Sequence, residues 1–257
     1  MVVSKQKTDR TDQSKLGKKK WLWWTCGMIV VALVIIVAHD VPTQATAEDH
    51  ASGQRILAQA GYKNTEETKF DLETFDGEIS AILAVQDAVL TVASKDVPIP
   101  FNTSREPGDL LVHRKGECYD RARAIEKILT SLGMETRHIA VYSTAETGSK
   151  LVSLVTPQVS SHAVSEVKTS RGWMLIDSNA HWIGLTEEGA PMSIEDIQTN
   201  YHDSIRWSLR NQNKMNPIFG KGFTYVIGLY SRHGRFFAPY SPIPDYNIRD
   251  LLTGLIS

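Results

Sequence analysis

The chain has 257 residues, a length that allows one or two domains. Apolar residues make up 42% of it and charged residues 22%, an ordinary globular composition that excludes a collagen-like, low-complexity or mostly disordered chain. The formal net charge of −1 provides no global basic field, so the sequence predicts no nucleic-acid partner.

The charge is divided unevenly along the chain. Residues 1–20 hold seven lysines and arginines against two aspartates, whereas the rest of the chain carries a net charge of −6. Between these parts, Trp21–Ala38 is an uncharged apolar run that would reach ~27 Å as a helix, close to the ~30 Å hydrocarbon core of a bilayer. Three lysines precede the run, and three tryptophans stand where an interfacial aromatic belt belongs. The sequence thus predicts a transmembrane anchor over residues 21–38, with residues 1–20 as a cytoplasmic basic tail and the body exported to a periplasmic or extracellular location.

Two other interpretations of the apolar run remain open. Ala45-Thr46-Ala47 resembles the cleavage site of a secretory signal peptide, and a buried core helix would also be apolar. The 20-residue basic tail and the length of the run favour an uncleaved anchor, and the adjacent lysines disfavour a core helix. With an anchor or a signal peptide alike, the membrane is the partner of the N-terminal segment and the body is exported.

The exported body contains a single thiol. Cys26 lies in the apolar run, which leaves Cys118 alone downstream. One cysteine cannot form an internal disulfide, and an unpaired cysteine in an oxidising compartment is either well buried or kept for its reactivity.

Beyond the anchor, the pattern predicts a linker, two helices and an extended connection. Residues 39–68 are polar and lack sustained periodicity, which indicates a spacer with one short helix near Ser52–Gly61. Leu72–Ser94 and Glu117–Leu132 carry apolar residues mostly at three- and four-residue intervals, as amphipathic helices do. Prolines within Pro98–Pro107 indicate an extended or looped stretch.

The second half of the chain predicts a sheet. Four short segments rich in valine, isoleucine, tryptophan and tyrosine are separated by turn residues: Arg137–Ser143, Leu151–Thr156, His162–Lys168 and Gly172–Asp177. Ser193–His202 is predicted as a helix and Phe223–Tyr230 as a late strand. A helix that carries the lone thiol, followed by consecutive antiparallel strands, is an α+β arrangement, assigned here to one domain over residues 69–257.

Three residues of this arrangement can carry chemistry. Cys118 lies in the first turn of its predicted helix, where the backbone N–H groups and the helix dipole favour a thiolate. His162 opens one predicted strand and Asp177 closes the next. If the hairpin pairs Lys168 with Trp173, the histidine and the aspartate become diagonal neighbours on one face, roughly 7–8 Å apart at Cα. A register shift of one residue would place them on opposite faces.

Acyl-transfer chemistry uses these three residue types together. A thiolate attacks an amide carbonyl, an imidazole takes and returns the proton, and a carboxylate fixes the imidazole tautomer and stabilises its cation. Each residue alone also has a structural explanation: Cys118 as a buried helix residue, His162 as a strand end satisfied by backbone, and Asp177 as the start of a turn. Their placement on a helix start and two adjacent strands favours a common site.

Three stretches resemble the core of the transglutaminase-like superfamily: GECYDRARAIEKILTSLGMETRHIAVYS (116–143), SHAVSEV (161–167) and GWMLIDSN (172–179). The pattern is a Gly-x-Cys helix that ends near a glycine, an Arg-led strand, a His-Ala…Glu-Val strand and a Gly-Trp…Asp strand. The resemblance, to a bacterial-type exported member, implies a papain-like fold in which the helix bearing the cysteine packs on an antiparallel sheet. It also implies Cys118 as nucleophile, His162 as general base and Asp177 as orienting acid.

Two features depart from the family pattern. Val164 stands where many members have tryptophan, and no tryptophan lies between Trp24 and Trp173. The upstream tryptophan that helps to form the oxyanion hole of animal transglutaminases therefore has no counterpart. The backbone N–H of Cys118 can contribute one oxyanion donor, and the second donor is unassigned.

Other residues are weaker candidates. His181 could be mistaken for the base, but its place in the loop after the strand pair favours a structural or rim position. A zinc site from Cys118, His162 and His181 lacks a short Cys/His ligand pair, and the family chemistry needs no metal or organic cofactor. The aromatic- and proline-rich segment 230–247 is expected to be an ordered loop against the body, with a cover over the cleft or a ligand contact as the alternatives.

We therefore expect an exported, membrane-anchored cysteine enzyme that acts through a thioester on peptide or side-chain amide bonds of a protein or peptide. Protease or amidase action and acyl transfer share that thioester and differ in the second nucleophile. The alternative is a non-catalytic transglutaminase-like binding or assembly module of the cell envelope.

Overall fold

The computed structural model of the protein describes residues 39–62, 70–101, 103–200 and 215–256, together with Trp24, Gly27 and Met28, which are helical. None of the helices in these described ranges is long and apolar enough to cross a bilayer. The basic tail and, except for those three residues, the predicted anchor Trp21–Ala38 lie outside them. The chain divides into two units, residues 1–40 and residues 41–257, and every element described below belongs to the second unit.

The first half of this unit is helical. Its helices are α1 (Ala47–Gln59), α2 (Phe75–Val92), α3 (Pro107–His113) and α4 (Cys118–Ser131). Apolar side chains of α1, α2 and α4 meet in one buried cluster, which includes Ile56, Val85 and Ile128. The predicted helices Leu72–Ser94 and Glu117–Leu132 are thus confirmed with slightly shorter bounds, because their apolar stripes have a common core to face.

A four-stranded antiparallel sheet packs against α4. Its strands are β1 (Thr136–Ser143), β2 (Ser161–Thr169), β3 (Gly172–Ile176) and β4 (Phe223–Ile227), in the spatial order β3-β2-β1-β4. Apolar residues of the sheet enter three clusters: one shared with the helices, one built around Trp182 and Phe219, and one that includes Tyr119 and Phe236. Because both faces are covered, even polar strand residues such as Arg137, His138 and Glu166 are buried. The α+β class and three of the predicted strands, those starting at Arg137, His162 and Gly172, are confirmed.

The remaining elements are short. They comprise α5 (Lys150–Val155), α6 (Ile194–Asn200), a 3₁₀ turn (Pro217–Gly220), β5 (Leu229–Tyr230), β6 (Asp245–Tyr246) and α7 (Ile248–Ile256). The predicted helix Ser193–His202 is confirmed as α6 up to Asn200, beyond which the described residues stop. The predicted late strand Phe223–Tyr230 is divided into β4 and β5 by Gly228, whose φ is 76°.

The strand predicted over Leu151–Thr156 is wrong, because this segment is α5. Ser149 caps the helix by accepting the backbone N–H of Val152 at 3.5 Å, and Leu151 and Val155 remain largely exposed. The strand was predicted from the branched apolar residues of this segment. The N-cap Ser149 stabilises a helix there instead.

The linker predicted over residues 39–68 is also corrected. Residues from Val41 onward belong to the folded unit, and α1 buries Ile56 and Leu57 in its core. Thr46 caps α1 in a reciprocal box with Asp49, in which each side chain accepts the backbone N–H of the other residue. The polar composition that indicated a spacer is therefore the solvent face and cap of a short docked helix.

Candidate active site

The start of α4 is built around its first residue, Cys118. Glu117 is the N-cap of the helix, and Gly116 directly precedes it. A Cβ added to Gly116 would lie 3.0 Å from the Cβ of Asp120, so this position favours glycine. The Gly-x-Cys spacing thus reflects close packing of the incoming chain on the helix.

Asp120 fixes this first turn from inside the protein. Its Oδ2 accepts the backbone N–H groups of Glu117 and Ile99, both at 3.0 Å, and its Oδ1 forms an ion pair with the buried Arg105. Burial raises the pKa of the Asp120 carboxyl, and the neighbouring guanidinium opposes that rise. The cysteine therefore stands on a turn that is held by several buried polar bonds.

The Cys118 side chain is a partly buried free thiol. It packs against a buried cluster that includes Tyr119, Ala163 and Phe236. The thiol is therefore partly exposed at the N-terminus of α4.

His162 and Asp177 are brought together by the predicted hairpin register. Lys168 lies opposite Trp173, and the ladder continues to Ser165 opposite Ile176. The His162 Nε2 is 3.2 Å from Asp177 Oδ1. Because the carboxylate engages Nε2, the other ring nitrogen, Nδ1, is the one left for a proton exchange.

The electrostatics of His162 depend on both neighbours. Burial lowers the pKa of this histidine, but the Asp177 carboxylate and, to a smaller extent, the Cys118 thiol outweigh burial and raise the pKa to about 10. The influence of the thiol on this pKa indicates that Cys118 lies beside the imidazole. The structure thus brings all three sequence-predicted residues into one contiguous group and favours an imidazolium at its centre.

The loop after β3 is held by residues that sequence reasoning missed. Gln86 of α2 is buried, and its Nε2 donates to the carbonyls of Asp177 and Trp182, both at 2.8 Å, and of Ala180 at 3.0 Å. Arg121 of α4 donates to the Asn179 side chain at 2.6 Å. A signal for Gln86 was present in the sequence, because this polar residue lies on the apolar stripe of α2.

The other histidine near the site has a peripheral position. His181 pairs with Asp87 at 3.1 Å, and both side chains are more than two-fifths exposed. It lies on the rim of the loop, as the sequence indicated. Within the described parts of the chain, no three His, Cys, Asp or Glu side chains are arranged to hold a metal ion.

The segment 230–247 is an ordered loop that packs next to the cysteine. Phe236 is buried between Tyr119 and Tyr142, with ring centroids 6.2 and 6.0 Å away. Tyr240 donates its hydroxyl to the Leu154 carbonyl at 2.5 Å. The expectation of a loop packed against the body is confirmed.

A second buried histidine lies deeper, beneath α4. His138 Nδ1 is 2.7 Å from Glu126 Oε1, the oxygen that also accepts the Ser165 hydroxyl at 2.9 Å. The imidazole stacks on Tyr230, with ring centroids 4.3 Å apart. This group links helix, sheet and the 230–247 segment inside the protein.

The antiparallel sheet with the cysteine-bearing helix packed on it, with His162 on β2 and Asp177 directly after β3, is consistent with a papain-like core. Residues 68–178 match the family model described as the transglutaminase-like superfamily. The family resemblance is therefore confirmed for the stretch of chain that contains Cys118, His162 and Asp177.

Two further comparisons complete this picture. None of the curated protein sequences matches the chain. Among solved structures, the chain is similar to one described as "a Putative Cysteine Protease from Cytophaga hutchinsonii", with 15% identity and a TM-score of 0.33. That match covers 55% of this chain and 45% of the other, so it spans less than half of the other protein's length.

Proposed function

We propose that the protein is a thiol-dependent enzyme in which Cys118, His162 and Asp177 cleave an amide bond through a thioester. The observation that carries the proposal is that Asp177 pairs with His162 and that Cys118 lies close enough to influence the same imidazole. The aspartate engages Nε2 of the imidazole, and the partly exposed thiol interacts with the same ring. A protein or peptide supplies the amide, from its backbone or from a side chain.

In the first step the Cys118 sulfur attacks the amide carbonyl carbon. The new C–S bond forms as the carbonyl π electrons move to oxygen, where the backbone N–H of Cys118 can donate a hydrogen bond. The C–N bond then breaks, and the His162 imidazolium gives its proton to the leaving amine. Asp177 keeps the imidazole oriented throughout.

In the second step a nucleophile attacks the thioester. His162, now neutral, takes a proton from water or from an amine as the new C–O or C–N bond forms. The C–S bond breaks and returns the thiolate next to the imidazolium. Water gives hydrolysis, whereas a primary amine gives acyl transfer, and both reactions use the same three residues and consume no cofactor.

The proposal extends to location. The apolar run Trp21–Ala38 and the preceding lysines support a membrane anchor that leaves the catalytic unit outside the cytoplasm. Protease added to spheroplasts should digest residues beyond 38 and spare residues 1–20. Protection of the folded unit in intact spheroplasts, with digestion after lysis, would contradict export.

The catalytic part is tested by the reactivity of Cys118. Iodoacetamide should label its peptide near neutral pH faster than in the denatured chain, as measured by mass spectrometry in a Cys26→Ser background. His162→Ala should remove the acceleration, and His181→Ala, a matched control on the rim, should retain it. Labelling of the folded wild type no faster than of the denatured chain would support the non-catalytic module instead.

A further inference from the structure

Helix α2 runs alongside the β2–β3 hairpin and holds it at both ends through two buried polar side chains. Glu78 grips the hairpin turn, where its two carboxylate oxygens accept the Ser170 backbone N–H at 2.9 and 3.0 Å and one of them accepts the hydroxyl at 2.8 Å. Gln86, about 12 Å further along the helix axis, grips the loop after β3. The two contacts differ in what they hold, because only the second touches the segment that carries Asp177.

The contact at Gln86 gathers three carbonyl groups around one nitrogen. The oxygens of Asp177, Ala180 and Trp182 all lie within 3.0 Å of Nε2. Carbonyl dipoles that point at one another repel, and the amide, which is 1% exposed, supplies the N–H groups that hold them together. Removal of that donor would leave the carbonyls to separate and the loop to open.

The shape of the loop determines how the Asp177 carboxylate points. Its Oδ1 accepts the backbone N–H of Asn179 at 2.7 Å and of Ala180 at 3.0 Å, and the same oxygen faces His162. Ala180 thus donates to the carboxylate through its nitrogen and accepts from Gln86 through its oxygen. A change in the loop at Ala180 is transmitted directly to the oxygen that orients the imidazole.

We propose that Gln86 is a positioning residue for the Cys118–His162–Asp177 group, acting by holding the loop in the shape that aims Asp177 at His162. The inference rests on the proposed function, since it assigns a role within that group. Because Gln86 acts only through the loop, its removal should change the titration of the His162 imidazole. The reactivity of the Cys118 thiol should change as a consequence.

The test compares Gln86→Met with Glu78→Met, which removes the other grip of the same helix with the same replacement. In Gln86→Met the NMR titration of His162 should move to lower pH, because the carboxylate that favours the imidazolium is misdirected. The rate of Cys118 alkylation near pH 7 should fall about tenfold to a hundredfold. Glu78→Met should lower the melting temperature while leaving the titration and the alkylation rate at wild-type values.

Gln86→Asn provides a milder change if Gln86→Met does not fold. It retains the amide but shortens its reach, so the same two shifts should appear with smaller size. A folded Gln86→Asn or Gln86→Met protein with a wild-type His162 titration would overturn the proposal, as would an equal shift in Glu78→Met. Slow alkylation of the wild type would refute the proposed function alone, because the His162 titration still decides the role of Gln86.

Discussion

Two of the histidines that the structure describes are buried on neighbouring strands, and each is paired with a carboxylate. His162 on β2 lies 3.2 Å from Asp177, and His138 on β1 lies 2.7 Å from Glu126. Both imidazoles are almost fully buried, at 4% and 0% exposure. By pairing and burial alone, either could be taken for the centre of a catalytic group.

The two pairs differ in what lies on the other side of each ring. His138 stacks on Tyr230, and its carboxylate partner is shared with the Ser165 hydroxyl, so the pair is enclosed by packing. His162 instead meets a partly exposed thiol at a helix N-terminus. The two histidine–carboxylate pairs therefore differ in the presence of a thiol beside the imidazole, and only the pair at Cys118 has a candidate nucleophile next to it.

The largest expected difference between the two pairs appears when each imidazole is removed in turn. His162→Ala should lower the rate of amide cleavage or transfer by about a thousandfold or more, since triad members act as a unit. His138→Ala should retain the rate per folded molecule and lose stability. Turnover of a peptide-amide library, normalised to folded protein by circular dichroism, gives the rate per folded molecule of each variant. A folded but inactive His138→Ala would contradict the distinction between a catalytic and a structural pair.

Removal of the enclosed carboxylate should have the largest effect on stability. Glu126→Ala leaves the buried His138 Nδ1 without its acceptor, while the Ser165 hydroxyl keeps the Ala122 carbonyl, and the change should lower the free energy of unfolding by about 3 kcal/mol. Urea denaturation gives this value directly. A loss well under about 1 kcal/mol would mean that the buried group is not structural.

The matching change at the candidate site should affect rate more than stability. Asp177→Asn retains size and hydrogen bonding but removes the charge that favours the imidazolium, so turnover should fall about tenfold to a hundredfold with little change in melting temperature. Kinetics and thermal melts on one preparation separate the two properties. An unchanged rate with a melting temperature lowered by several degrees would make Asp177 a turn residue, and Asn179 would become the next candidate for the third member.

The pairing of His162 with Asp177 should also make the stability of the protein depend on pH. Burial lowers the pKa of His162, but Asp177 outweighs it and raises the pKa to about 10 from its usual 6.5. The folded protein therefore binds this proton more tightly than the unfolded chain does. Its stabilisation is complete below pH 6.5 and is lost as the pH rises through 10. The difference in unfolding free energy between wild type and His162→Gln should shrink over this interval, and a constant difference would contradict the raised pKa.

Local periodicity accounts for what could be predicted of the fold. About fifteen residues of sequence are enough to recognise each of three features: the apolar stripes of α2 and α4, the β-branched and aromatic residues of the strands, and the turn at Ser170. Two short segments were predicted less well: α1, whose helix was expected near Ser52–Gly61 but as part of a linker, and α5, which was expected as a strand. Both owe their state to a capping residue and to the surface on which they dock. Their own composition resembles that of a linker or a strand.

Residues of the candidate site likewise fall into those that local sequence features place and those that distant contacts place. Cys118, His162 and Asp177 could be predicted because a helix start and a hairpin register place them, and both are local features. Gln86 could not be assigned a role, because its partners Asp177 and Trp182 lie 91 and 96 residues away along the chain. A polar residue on an apolar stripe indicates a buried hydrogen bond, but sequence alone does not give its partner.

The buried Arg105 has a consequence for biosynthesis. It pairs with Asp120 at the start of the cysteine helix, and its Nε donates to the carbonyl of Arg232, 127 positions later in the chain. The helix that bears Cys118 thus leaves the ribosome long before the segment that completes its surroundings. Contacts of such long sequence separation form late in folding. The nascent chain therefore carries the Cys118 thiol through the later half of translation before the Arg105–Arg232 contact near the start of its helix can form.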